Sequence, residues 1–236
     1  MADEINAPTK GAGPWGQAFA AVALVAALGA GLWAIGETSS PASDPGPATC
    51  SGGEPDQKPK ESEGASRQAS GAQLCEALNR ADLAELLGTP GDIAKSASGS
   101  DGSVARAGGT ETATPSARVQ LGTYTVTLTA TYDRLPVGTY ATLLGDAAQK
   151  RKVLDRPAVL YSDRTISIGL RLDGGDTTSG PGVPARALVV ARDAKDRGGS
   201  YEVVLWREDG RVPDDAAVLR VAESVLPTVR GWAAGT

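Results

Sequence analysis

Thr123-Tyr124-Thr125-Val126-Thr127-Leu128-Thr129-Ala130-Thr131-Tyr132 is the stretch on which the fold turns. Threonine holds every odd position, and Tyr, Val, Leu, Ala and Tyr hold the even ones. Side chains of an extended strand alternate between faces, so these ten residues present one apolar row and one hydroxyl row. The apolar row belongs in a core and the threonines in water, the pattern of an antiparallel sheet solvated on one side. A solvated sheet face is the ordinary reading of the threonine row, and a carbohydrate- or ice-contacting surface is its functional alternative.

Outward from this strand the chain alternates between helical and extended patterns. Upstream, Leu74, Leu78, Leu83, Leu86 and Leu87, ended by Gly88 and Pro90, read as a short helical pair. Gly91 to Pro115, rich in Gly, Ser, Ala and Thr, reads as a long surface loop. Downstream, Tyr140, Leu143, Leu144, Ala147 and Ala148 recur at helical spacing with Thr139 placed to cap, and Lys150, Arg151 and Lys152 then fall at the negative end of that helix. Extended segments follow at Ala158 to Tyr161, in the alternation of Ile166, Ile168, Leu170 and Leu172, and at Ala187 to Ala191. Tyr201 to Trp206, apolar on both faces, reads as a central strand. A last helix begins near Pro213, with Asp214 and Asp215 at its positive end, and stops at Pro227. About five strands joined mostly by connections too short for parallel crossovers predict an α+β domain with a mainly antiparallel sheet covered by helices.

The amino-terminal third is of another kind. Trp15 to Ile35 is twenty-one residues without a charge. As a helix it would reach roughly 31 Å, the thickness of a hydrocarbon core, with Trp15 and Trp33 at the interfaces. Lys10 precedes this run and no Lys or Arg follows until Lys58, which places the amino terminus in the cytoplasm and the rest outside. A cleaved signal peptide is the competing reading, since Ala34-Ile35-Gly36 has the small-x-small form, although the apolar run is long for one. Ala23, Ala27 and Gly31, like Ala26, Ala30 and Ala34, recur every four residues and leave room for self-association. From Gly36 to Gly71 there is no Val, Ile, Leu, Met, Phe, Trp or Tyr, the composition of a flexible linker. Cys50 in that linker and Cys75 at the start of the domain are the only cysteines, and in an oxidising compartment they have one pairing available.

Much chemistry is excluded. The chain has no histidine, which removes Ser-His-Asp and Cys-His arrangements and imidazole metal sites. Ala72 to Thr236 carries 19 basic and 20 acidic residues, so nucleic-acid binding has no electrostatic footprint. Asp173-Gly174-Gly175-Asp176 and Glu208-Asp209-Gly210, with Asp214 and Asp215, carry oxygen donors suited to calcium. Neither has the spacing of an EF-hand loop, and Asp-Gly pairs are ordinary turn formers.

Trp15 to Trp33, the polar linker, the start Ser70-Gly71-Ala72-Gln73-Leu74-Cys75, and the stretches Tyr132-Asp133-Arg134-Leu135-Pro136, Pro157 to Thr165 and Leu226-Pro227-Thr228-Val229 resemble an uncharacterised family of membrane-anchored actinobacterial proteins with a domain of unknown function. That resemblance implies location and layout but no activity. The expected organisation is a cytoplasmic tail over 1–14, a transmembrane helix over 15–35, a linker over 36–71 and an extracytoplasmic α+β domain over 72–236. No catalytic, cofactor-binding or metal-binding residue is assigned. The expected partners are the lipid bilayer, through 15–35, and an envelope protein or ligand. The expected function is a noncatalytic binding or accessory module of the cell envelope. Its alternatives are a histidine-independent extracytoplasmic hydrolase and a structural subunit of a membrane complex.

Overall fold

A computed structural model describes residues 46–52, 68–105, 111–169 and 178–232. One compact unit runs from Pro47 onward. It is mostly sheet, which corrects the expected α+β domain of about five strands covered by helices: among the described residues ten strands form an eight-stranded mixed sheet and a separate two-stranded one, with four short helices. None of the helices among the described residues is long and apolar enough to cross a membrane, and the expected span, with Trp15 and Trp33, lies outside the described residues.

In chain order the elements are β1 (Cys50–Gly52), α1 (Gly71–Leu78), α2 (Leu83–Leu86), β2 (Ser96–Ser100), β3 (Ser103–Ala105), β4 (Glu111–Ala113), β5 (Ser116–Gln120), β6 (Tyr124–Thr131), α3 (Val137–Leu144), β7 (Ala148–Val153), β8 (Arg156–Gly169), β9 (Thr178–Ala191), β10 (Ser200–Arg207) and α4 (Asp215–Val225). The large sheet has the order β1-β2-β5-β6-β10-β9-β8-β7, and β3 pairs with β4. Only β1 and β2 are parallel.

Three departures from the sequence reading have physical causes. The stretch expected as a loop over Gly91 to Pro115 contains β2, β3 and β4. Its small residues are there because α1 lies directly on β2: a Cβ on Gly99 would overlap the Gly71 carbonyl, and one on Gly71 would overlap the Ser100 backbone. Low β-propensity at Ser, Ala and Gly is overridden by that packing. Secondly, the expected helix through Ala148 ends at Leu144, so Lys150, Arg151 and Lys152 lie on β7, an exposed edge strand, and not at a helix end. Charged side chains on an edge discourage pairing with another chain. A two-residue turn with positive φ at Leu154 and Asp155 joins β7 to β8, and it carries no glycine to announce it. Thirdly, Thr139 does not cap α3: the Asp196 carboxylate, from the turn before β10, accepts from the backbone N–H of Val137 (2.7 Å) and Gly138 (3.0 Å).

The two faces of the sheet are covered unequally. On the first, Leu74 and Leu78 of α1 and Val218, Val221, Ala222 and Val225 of α4 bury the even-numbered row of β6 with Leu160, Leu188, Val203 and Leu205. Trp232 closes this core at the carboxy-terminal end, with the buried Arg156 guanidinium 3.4 Å from its ring centroid. On the second face α3 covers only one side, where Val137 and Ala141 meet Val159, Val189 and Ala191.

The Cys50–Cys75 disulfide ties β1 to α1, with Cα atoms 6.0 Å apart. It brings a segment that composition assigned to the linker into the folded unit. The capping box of α1, in which Gln73 N–H donates to Ser70 Oγ and Ser70 N–H to Gln73 Oε1, fixes where that helix starts.

Replacing both cysteines by serine is expected to lower unfolding stability by about 2–4 kcal/mol, read as a lower urea midpoint that added reductant reproduces in the parent protein. Gly99→Ala is expected to cost about 2 kcal/mol or more, because backbone rather than a flexible side chain must move. Gly91→Ala, with nothing within 4 Å of its Cβ position, is the control and should stay within about 0.5 kcal/mol.

Candidate binding face

The threonines of the opening stretch decide where function is to be sought. Thr125, Thr127, Thr129 and Thr131 lie on the second face of the sheet, and β5 and β10 flank them. By register, Arg118, Thr127 and Val204 form one cross-strand row, and Ser116, Thr129 and Glu202 the next. Gln120, Thr125 and Trp206 form a third. Ser98 and Ser96 of β2 extend the first and third rows. No helix among the described residues packs on this half of the face, where α3 stops at β9. What remains is a flat area about 10 Å across and about 20 Å long, by the spacings of paired strands.

Water reaches it unevenly. Thr125 is buried, whereas Thr127, Thr129 and Thr131 are half-buried and Arg118 is exposed, so the face is less open than a fully solvated row. The Thr125 hydroxyl donates to Glu208 Oε1 at 2.9 Å. Those of Thr127, Thr129 and Thr131 have no hydrogen-bond partner among the described residues, which leaves donors and acceptors in a line about 7 Å apart.

Trp206 is half-buried, and the Arg118 guanidinium stands over its ring, 4.9 Å from the centroid. Arg118 makes no ion pair or hydrogen bond with the described residues, so the indole restricts the plane of the guanidinium while leaving all of its N–H donors free. Opposite, towards α3, the Tyr161 hydroxyl donates to Glu202 Oε1 at 2.5 Å. Burial, and then the Glu202 charge, push the Tyr161 phenol well up from its ordinary value, so it remains a neutral donor at physiological pH. Glu202 is thereby fixed, with acceptor capacity to spare.

The face thus joins a free cation on an aromatic ring, a line of hydroxyls and an anchored carboxylate. It does not make an ice-matching lattice, which needs its hydroxyl repeat in two dimensions: beside the threonine row, β5 and β10 place Arg118, Glu202, Val204 and Trp206. Nor does it pair carboxylates for hydrolysis. Glu202 and Glu208 are six residues apart on one extended segment, roughly 20 Å, against the 5 to 9.5 Å that glycoside chemistry uses.

The remaining sequence-stated residues have structural roles where they are described. Asp209 is held by Arg207 and Arg211, whose hydrogen bonds keep its carboxyl well below the usual carboxylate range. Asp214 caps α4, and Asp215 pairs with Arg186 at 2.8 Å. Asp173 and Asp176 lie outside the described residues. Among the described residues no group of three or more Cys, Asp or Glu side chains is disposed to hold a metal ion. A cleft of about 760 Å³ beside the disulfide, between Ala48, Asn79, Ile93 and Leu121, is a weaker candidate. Most of its polar groups are occupied, with the exposed Glu76 at its rim: Asn79 donates to the Ala48 carbonyl, Arg80 binds Asp82 and the Ser224 carbonyl, and Asp92 accepts from Thr123 N–H.

Sequence reasoning singled out the threonines but not Arg118, Trp206, Tyr161 or Glu202. Arg118 and Trp206 sit on strands separated by β6, and Tyr161 and Glu202 on strands separated by β9. The strand Tyr201 to Trp206, apolar on both faces and read as central, was the available signal: a tryptophan on a central strand must face either the core or a surface patch.

No curated protein and no solved structure matches the chain. One family model, described as a family of unknown function (DUF6215), matches residues 9–147, from the amino-terminal apolar run to the end of α3. That is more than half of the sequence, and the protein belongs to this family of unknown function, DUF6215.

Proposed function

We propose that the unit from Pro47 onward is a noncatalytic binding module of the cell envelope, outside the cell membrane and held to it through the apolar run Trp15 to Ile35, and that it binds with the second face of its sheet. The observation that carries this reading is the uncovered half of that face, with its unpartnered hydroxyls and its free Arg118 stacked on Trp206. The hydroxyls of Thr127, Thr129 and Thr131 are half-exposed and make no hydrogen bond to the described residues, so a ligand can take the place of water on them. The Cys50–Cys75 bond supports an oxidising location, since such bonds persist outside the cytosol. The single lysine before the apolar run supports an inward amino terminus, and the resemblance to membrane-anchored actinobacterial proteins agrees with both. The separation of Glu202 from Glu208 favours binding over hydrolysis.

Two measurements on cells making the full-length chain test this. A membrane-impermeant maleimide is expected to label Cys50 and Cys75 only after an impermeant reductant, on a chain that retains Trp15 to Ile35. Labelling only after lysis would overturn the outside location. A photo-crosslinking residue at Thr129 is expected to give a heavier, light-dependent species that the same residue at Arg220, exposed on α4, does not. Equal yields at the two positions would remove the sheet face as the binding surface.

A further inference from the structure

From the same face, and resting on the reading that it is a binding surface, we infer that its occupant is a glycan bearing carboxylate groups. The sheet face offers no backbone donors or acceptors, because β6 is paired on both sides by β5 and β10, so strand addition by a peptide has nothing to bond with there. What it offers is side chains only: a line of neutral hydroxyls, the Gln120 amide, one aromatic ring, the Arg118 cation and the carboxylates of Glu202 and of Glu208, the latter taken up by the Thr125 hydroxyl. Hydroxyls spaced along a strand match a ligand that repeats along its own length and carries both donors and acceptors, which is the chemistry of a sugar chain. Val204 and the exposed part of Trp206, on β10 beside the threonines, accept the C–H face of a pyranose ring.

The acid follows from Arg118. Its guanidinium is unpaired among the described residues and its plane is restricted by Trp206, so a bidentate carboxylate bond loses less side-chain entropy than one to a free surface arginine. Glu202 lies two strands away and one row along, roughly 12 Å from Arg118 by sheet spacings, far enough not to repel a carboxylate held there. It serves instead as acceptor for sugar hydroxyls, with Tyr161 holding it in place. A neutral glycan would leave the Arg118 fork without its partner. A polyanion without hydroxyls would leave the threonine row unpaired and meet Glu202.

The test is calorimetric titration of the full chain in detergent with a short oligogalacturonate, its carboxyl-reduced neutral counterpart and polyglutamate. Binding of the oligogalacturonate alone is the expected result. Arg118→Gln is expected to weaken it by about tenfold or more, Arg118→Lys by less, and the near-isosteric Thr127→Val severalfold, while Arg220→Gln changes nothing. Thermal melts coincident with the parent's would assign these losses to contact rather than unfolding. Equal binding of the neutral sugar, equal binding of polyglutamate, or an Arg118→Gln variant that binds like the parent would each overturn the proposal. So would the absence of binding to all three probes when photo-crosslinking at Thr129 succeeds: the face would stand and its ligand class would fall. If the crosslinking also fails, the underlying reading falls with it.

Discussion

The packing of helix on sheet rests on two glycines that leave no room for a Cβ. Gly71 at the first turn of α1 and Gly99 in β2 let helix backbone rest on strand backbone, a separation that any Cβ at either position would forbid. Around this contact the other constraints agree. Gly71 N–H donates to the Asp101 carboxylate at 2.6 Å, Ser70 and Gln73 close the capping box, and the Cys50–Cys75 bond clamps β1 beside β2. Three local devices and one covalent bond thus fix one helix at the narrow side of the sheet. Because that side is built from small residues, helix and sheet lie too close for larger side chains between them, and bulk appears in the core only from β5 towards β8.

Fixing α1 on the first face has a consequence on the second. The core-facing positions of β2 and β5 are Ala97, Gly99, Ala117 and Val119, and their alternates, Ser96, Ser98, Ser100, Ser116, Arg118 and Gln120, must face the other way. These outward residues are polar and give no apolar surface for a second helix to bury. On β8 and β9 the outward residues are Val159, Val189 and Ala191, and there α3 does pack. The boundary between covered and open halves therefore follows the sequence strand by strand. Glu202 and Tyr161 stand on that boundary, where a carboxylate can be half-buried only because a phenol donates to it.

What the sequence disclosed, and what it withheld, follows from the same distinction. The alternation from Thr123 to Tyr132 was legible because β6 has a wholly apolar face and a wholly hydroxyl face, and the strand lies where expected. Tyr201 to Trp206 was legible as central for a similar reason, since its outward residues Val204 and Trp206 are themselves large. Ser96 to Ser100 was not legible, because its residues answer to the proximity of α1 rather than to strand propensity. The helix read through Ala148 failed on a shared pattern: the spacing of Leu144, Ala147 and Ala148 suits a helix, but a strand begins at Ala148 and the helix before it is capped by the distant Asp196. In the candidate face one row was visible from a single segment, whereas the Arg118–Trp206 and Tyr161–Glu202 pairs each join strands that are not neighbours.

The first strand and the last described residues of the folded unit occupy different parts of the sheet from the threonine row. The chain enters the folded unit at Pro47 and pairs as β1 at one edge of the sheet, and Trp232 packs into the core of the first face against Tyr201 and Arg156. Among the described residues, β1 therefore lies at an edge of the sheet and Trp232 on its helical side, both away from the threonine row. β1 is held by its three-residue pairing with β2 and by the disulfide to α1, which lies on the helical face. A ligand on the second face would load β5, β6 and β10, each paired on both sides within the sheet. β1 and the strands of the threonine row thus belong to one continuous hydrogen-bonded sheet but are separated in it by β2.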